Sequence, residues 1–306
     1  MRKGLLTFVM MSMLSLPSFC QYNLDYGISA GVSNYLGEIG GGAGVGRGFL
    51  ADTDFGFSRW TIGGFIRYKL IPSFAVKGSL NYIRLSGDDS KSLNPARRAR
   101  NLNFKNDILE LLAIGEFYVY RINDVGGSGR YNTDFNIYLY GGTGVFFNDP
   151  KGQDEISGKW VALRPLETEG VSYSFINLTI PLGIGFNYTL NRKYRIGLEI
   201  GWRTTFTDRI DDISEFYAND YDGISNKTSQ ELLTLINNDA EEGSEIELVS
   251  FDAGSRRGNP ENNDSYITAT FNFSWVKKGR SNFYKSRSSW VLGKNKRRRR
   301  KSRAKF

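Results

Sequence analysis

The sequence predicts an all-β fold, an eight-stranded antiparallel transmembrane β-barrel with long extracellular loops and a basic periplasmic C-terminal tail. Three observations carry this. Eight segments alternate apolar and polar residues with a period of two, the signature of a strand with two unlike faces. The connections between them alternate long and short. Beyond the N-terminus, no stretch reaches the roughly 18 consecutive apolar residues of a transmembrane helix. A broad apolar face in every segment then calls for a closed barrel, since lipid leaves no unpaired sheet edge. A soluble β-sandwich with aromatic edges is the rival arrangement.

The first strand spans about residues 22–36, with Leu24, Tyr26, Ile28, Ala30 and Val32 outward and Asp25, Gly27, Ser29, Gly31 and Ser33 inward. The second, about 59–70, points Trp60, Ile62, Ile66 and Tyr68 outward. After only Ile71, Pro72 and Ser73, the third points Phe74, Val76, Leu80 and Tyr82 outward. The fourth, about 108–121, is apolar on both faces, yet Glu110 and Glu116 lie opposite Leu109, Leu111 and Phe117.

The fifth strand is about 135–147. The sixth, about 175–188, alternates most cleanly, from Ile176 through Leu178, Ile180, Leu182, Ile184 and Phe186 to Tyr188; its interior Pro181 implies a bulge or kink. The seventh, about 194–206, sends Ile196, Leu198, Ile200 and Trp202 outward, and the eighth, about 266–276, sends Ile267, Ala269, Phe271, Phe273 and Trp275.

Residues 37–58, 87–107, 148–172 and 207–265 are long connections; 71–73, 122–134 and 189–193 are shorter. Outer-membrane barrels keep short turns in the periplasm, so both chain ends are expected there. Outward aromatics gather near the short turns (Tyr22, Tyr68, Phe74, Phe135, Tyr188, Tyr194, Trp275) and near the other end (Trp60, Tyr82, Phe147, Trp202), as two headgroup belts would select. Within 207–265, residues 225–236 read as a short helix over the mouth and 239–247 as a solvated acidic loop.

Residues 1–20 read as a secretory signal: Arg2 and Lys3, the apolar run Leu5 to Leu16, then small residues Ser18 and Cys20 suited to cleavage before Gln21. Lipidation at Cys20 is the rival, opposed by bulky Phe19. Residues 21–276 form the barrel and 277–306 the tail. The formal charge of +8 divides unevenly: the tail holds 14 Lys and Arg and no acid, two more cations leave with the signal, and the barrel segment is left at −8.

The whole chain has no histidine and its one cysteine is Cys20, which removes the usual Ser-His-Asp and Cys-His machinery and the commonest metal ligands. The glycine run from Gly37 to Gly44 lacks the Lys-Ser/Thr ending of a phosphate loop and reads as a flexible surface loop. The carboxylates of Ser86 to Asp89 and Asp208 to Asp212 give no acid–base pair by spacing. No enzyme, cofactor, metal, nucleic-acid partner or small-molecule substrate is expected.

Inward charges Arg67, Lys77, Glu110, Glu116, Arg195, Glu199 and Arg203 are expected to form a plugging ion-pair network, because side chains nearly fill an eight-stranded lumen. In the tail, Phe283, Tyr284 and Trp290 precede Lys294, Lys296, Arg297, Arg298, Arg299, Arg300 and Lys301. Apolar anchors followed by dense positive charge suit an acidic periplasmic surface. A disordered, solvated tail remains open.

Three stretches, Gly31 to Glu38, Arg100 to Lys105 and Arg257 to Asp264, resemble the PorG-type outer-membrane barrels of the Bacteroidota type IX secretion system. The resemblance implies a non-enzymatic component of secretion and gliding machinery, set in outer-membrane lipid and associated with PorK/PorN-type periplasmic ring proteins. A small lipid-modifying outer-membrane enzyme and a generic plugged OmpA-like barrel are the alternatives.

Overall fold

A computed structural model describes residues 24–39, 55–71, 73–92, 95–122, 134–153, 158–191, 193–217, 254–277 and 288–290. The expected signal, the helix at 225–236, the acidic loop at 239–247 and all the named tail residues except Trp290 lie outside them.

Eight long strands build the wall: β1 (Leu24–Leu36), β2 (Arg59–Ile71), β3 (Phe74–Asp88), β4 (Asn103–Ile122), β5 (Asp134–Phe147), β8 (Ile176–Leu190), β9 (Tyr194–Thr205) and β10 (Ser265–Lys277). Every neighbouring pair is antiparallel in the order β3-β2-β1-β10-β9-β8-β5-β4, and β3 pairs with β4 to close the barrel. Closure leaves the paired lengths of these eight strands without an open edge.

Alternation sorts the two faces. On β1, Tyr26, Ile28 and Val32 are exposed on the outside while Asp25, Ser29 and Ser33 are buried. On β8, Ile176, Leu178, Leu182, Ile184, Phe186 and Tyr188 are exposed and Thr179, Asn187 and Thr189 are buried. An inward polar face and an outward apolar one invert a soluble protein. Outward aromatics pair across strands at both ends: Tyr26 with Trp275 at 6.1 Å and Tyr194 with Phe273 at 5.9 Å by the short turns, Trp60 with Tyr82 and Phe147 with Phe175, each at 5.3 Å, by the long loops.

Pro181 makes neither bulge nor kink in the register. It sits opposite Arg203 with no shift, and β8 and β5 keep one register on both sides of a break in the ladder opposite Gly142 and Thr143. Proline has no N–H to donate, so the strand loses local pairing and keeps its alignment.

β4 starts at Asn103, not near residue 108, and β3 runs to Asp88. The wall therefore rises into what alternation alone assigns to the loop 87–107. Among the described residues between them are a 3₁₀ turn (Asp89–Lys91) and the short helix α1 (Pro95–Arg100). The connection 148–172 likewise contains a hairpin, β6 (Lys151–Gln153) and β7 (Trp160–Ala162). β6 prolongs β5 along β4 in the same register, Leu109 facing Phe147 and Lys105 facing Lys151.

One further strand, β11 (Ser288–Trp290), comes from the tail. β4 overhangs β3 at the short-turn end, since Phe74 already faces Phe117, and β11 pairs with Tyr120 to Ile122 on that edge. β10 and β4 lie four strands apart around the ring by either route, so the tail leaves one wall and is tied to the opposite one.

Candidate functional site

The lumen brings all seven predicted charges into a buried network. Arg67, from β2, lies at its centre: Nε is 2.8 Å from Glu116, and the two Nη atoms reach Glu199 at 3.1 Å and Asp25 at 3.4 Å. Lys77 Nζ stands 2.6 Å from Glu199 and 3.8 Å from Glu116. Arg195 bridges Asp25 and Asp134, and Arg203 Nε lies 3.6 Å from Glu110.

Hydroxyls complete it. Tyr138 donates to Glu199 at 2.6 Å, Tyr118 to Glu116 at 2.9 Å and Tyr266 to Glu110 at 2.7 Å. Every carboxylate of the network touches a cation, as buried charges require. Inward glycines make the room: a Cβ on Gly185 would strike the Tyr138 ring, and one on Gly183 the Tyr140 ring.

Asp25 and Asp134 escaped the sequence reading as network members. Asp25 was legible as an inward residue of the first strand, whereas Asp134 stood at the end of an expected turn. The lumen keeps a cavity of about 20 Å³ beside Lys77, Glu199 and Arg203, room for about one water molecule.

Above the network a second, unexpected layer closes the long-loop end. Residues 206–217 turn down into the mouth, where Ile210 and Ile213 join Tyr35, Ile39, Ile83, Leu85, Phe104, Ile108, Phe146 and Tyr266 in one apolar cluster. Backbone groups of this segment are held by the wall: Asn106 and Asn148 donate to the carbonyls of Ile210 (2.8 Å) and Arg209 (2.7 Å), and the Ile210 N–H donates to Asp264 at 2.9 Å. Two arginines stitch neighbouring loops. Arg257 contacts Thr168, Glu169 and Asp212, and Arg209 lies 2.7 Å from Glu169.

The three stretches that carry the family resemblance meet here. Arg100 donates to the carbonyls of Glu38 (2.9 Å) and Arg257 (3.1 Å) while its Nε rests 2.8 Å from Asp89. The Asn259 N–H donates to Glu38 at 2.6 Å, and Tyr35 to Asp264 at 2.6 Å. Gly37 to Ile39 are therefore built into the cap, which corrects their assignment to a flexible surface loop: Ile39 is buried in its apolar cluster.

Acidic side chains crowd the cap. Burial, then the neighbouring Glu38 and Asp211 carboxylates, push Asp208 up to about 8; burial first and Glu38 next push Asp211 up to about 7. Burial and Asp211 raise Asp264 as well, and burial raises Glu38. Among the described residues no three Asp, Glu, His or Cys side chains stand together so as to hold a metal ion.

The folded cap keeps protons that the unfolded chain releases near pH 4. Its stability is thus full at acid pH and declines as pH rises towards 8. Amide exchange in 208–217, corrected for intrinsic rate, should accelerate from pH 6 to pH 9, and Asp208→Asn should flatten that rise. An identical profile in the variant would refute the assignment to Asp208.

Of the predicted tail residues, the structure places the backbone of Trp290, in β11 opposite Tyr120. The other tail positions lie outside the described residues.

No curated protein matches the chain. Two solved structures that are similar are both of Ail, the attachment invasion locus protein of Yersinia pestis, one alone and one in complex with the heparin analogue sucrose octasulfate. Each is 10% identical and covers 84% of this chain and 98% of its own, with TM-scores of 0.33 and 0.34 respectively. Nothing about this chain rests on values so low. A family model, by contrast, matches residues 3–228, well over half of the sequence, and the chain accordingly belongs to the family described as Domain of unknown function (DUF6089).

Proposed function

We propose that this protein is a non-enzymatic outer-membrane component of the type IX secretion and gliding machinery. Its barrel fixes it in the outer membrane, and its periplasmic side, the basic tail above all, holds PorK/PorN-type ring proteins. The observation that carries the reading is the pairing of an outward apolar, aromatic-rimmed wall with a lumen shut by ion pairs and a capped mouth. Such a body suits anchorage better than conduction. The start of β1 and the end of β10 both lie at the short-turn end, which in outer-membrane barrels faces the periplasm. The tie between β11 and β4 gives the tail a fixed departure point there.

Co-purification from membranes followed by mass spectrometry tests the partner. Ring proteins of the PorK/PorN type should be recovered with the tagged barrel, and their absence under conditions that recover the intact ring would sink the assignment. Orientation has its own test. In intact cells a cysteine at exposed Ser90 should react with an impermeant thiol reagent and one at Lys294 should not; the reverse pattern would overturn the topology.

A further inference from the structure

On the outside of the wall, the side chains change in a graded order towards the long-loop end. Leu80 and Leu111 face one another across β3 and β4, then Tyr82 and Leu109, then Arg84 and Asp107, which form an ion pair at 2.6 Å. Beyond them Lys105 of β4 faces Lys151 of β6 directly. Residues directly opposite share a face, and like charges so placed repel. Among the described residues neither lysine has a carboxylate within ion-pair distance.

Trp160 of β7 joins the pair. It faces Gln153, two residues along β6 from Lys151 and so on the same face, is exposed, and lies under Lys105 Nζ at 4.4 Å from its ring centre. Lys105 is four residues beyond Leu109, about 13 Å along the strand at ~3.3 Å per residue. With the strand tilt of such barrels, that is about 10 Å above the apolar edge, at the level of lipid headgroups.

We propose that Lys105 and Lys151, with Trp160 beside them, form a binding site for the phosphate of a phosphorylated glycolipid headgroup in the outer leaflet. A phosphate between the two ammonium groups converts a repelling pair into two charge-assisted contacts, while the exposed indole holds Lys105 Nζ beside it through a cation–π contact. This site rests on the membrane-spanning reading of the barrel and is independent of the secretion partner.

Full-length protein and the Lys105→Gln/Lys151→Gln double variant are reconstituted into vesicles of phosphatidylcholine alone or with bisphosphorylated lipid A, and the thermal midpoint of each is measured. Lipid A should raise the wild-type midpoint by several degrees, and the variant should lose most of that shift. In phosphatidylcholine alone the variant should match or exceed wild type, because the repulsion is gone. That comparison also shows that the variant folds. The basic tail is common to both proteins, so its own attraction to anionic lipid cancels.

An equal lipid A shift in the double variant would overturn the site. A full shift from inorganic phosphate in phosphatidylcholine vesicles would overturn the headgroup as its ligand. Failure of the wild type to insert into either vesicle would instead sink the membrane-spanning reading, an outcome distinct from the other two.

Discussion

Arg67→Ala is expected to destabilise the barrel by about 3–5 kcal/mol, the range for removing one partner of a buried ion pair. The guanidinium faces Asp25, Glu116 and Glu199 with essentially no solvent. Deleting it leaves Glu199 with Lys77, Asp25 with Arg195, and Glu116 with the Tyr118 hydroxyl and, as its cation, Lys77 at 3.8 Å. Urea unfolding of the reconstituted protein, followed by the mobility of the folded band on unheated gels, should show the midpoint drop. Arg67→Ala/Glu116→Gln should recover part of the loss, because the carboxylate left most exposed to repulsion is neutralised. A loss below about 1 kcal/mol, in the range of surface ion pairs, would mean that the lumen is wet and screens these charges.

Truncation after Lys278 is expected to leave a folded barrel and, on the proposed function, to remove most of the ring proteins that would co-purify with it. The closing strand ends at Lys277, so all eight wall strands survive, and the three-residue ladder of β11 on β4 is lost. That ladder was not legible in the sequence, where the tail read as free of strand pairing. Its loss uncovers the backbone of Tyr120 to Ile122, so the truncated protein should also show faster amide exchange there. Neutralising Lys296 to Lys301 keeps β11 and should reproduce part of the recruitment defect with a strong salt dependence. Should the truncated barrel still recover the ring at normal yield, the tail is not the docking element and the short turns, especially 122–134, become the better candidates.

The two variants separate position from charge. Proline at Ser288 and Ser289 breaks the ladder and keeps every cation, since proline cannot donate to it. Reduced recruitment in that variant would mean that the departure point on β4 matters, and unchanged recruitment that the charge suffices.

The wall was legible in the sequence by itself. Leu178, Leu182 and Phe186 point outward and Thr179, Asn187 and Thr189 inward because successive residues of a strand face opposite ways, a rule that needs no neighbour. The same rule placed Arg67, Lys77, Glu110, Glu116, Arg195, Glu199 and Arg203 inside. Which charge meets which was decided only by the tertiary structure: Asp25 and Arg195 are 170 residues apart, and barrel closure alone brings them together. The cap escaped for a related reason. Residues 206–217 have no regular period, and Ile210 and Ile213 find their apolar partners only where the ends of β1, β3, β4, β5 and β10 converge. Composition likewise showed that the tail is basic, whereas its tie to β4 depends on an edge that exists only because β4 outruns β3 at the short-turn end. Period and charge are local properties of a chain; pairing, plugging and edges belong to the closed ring.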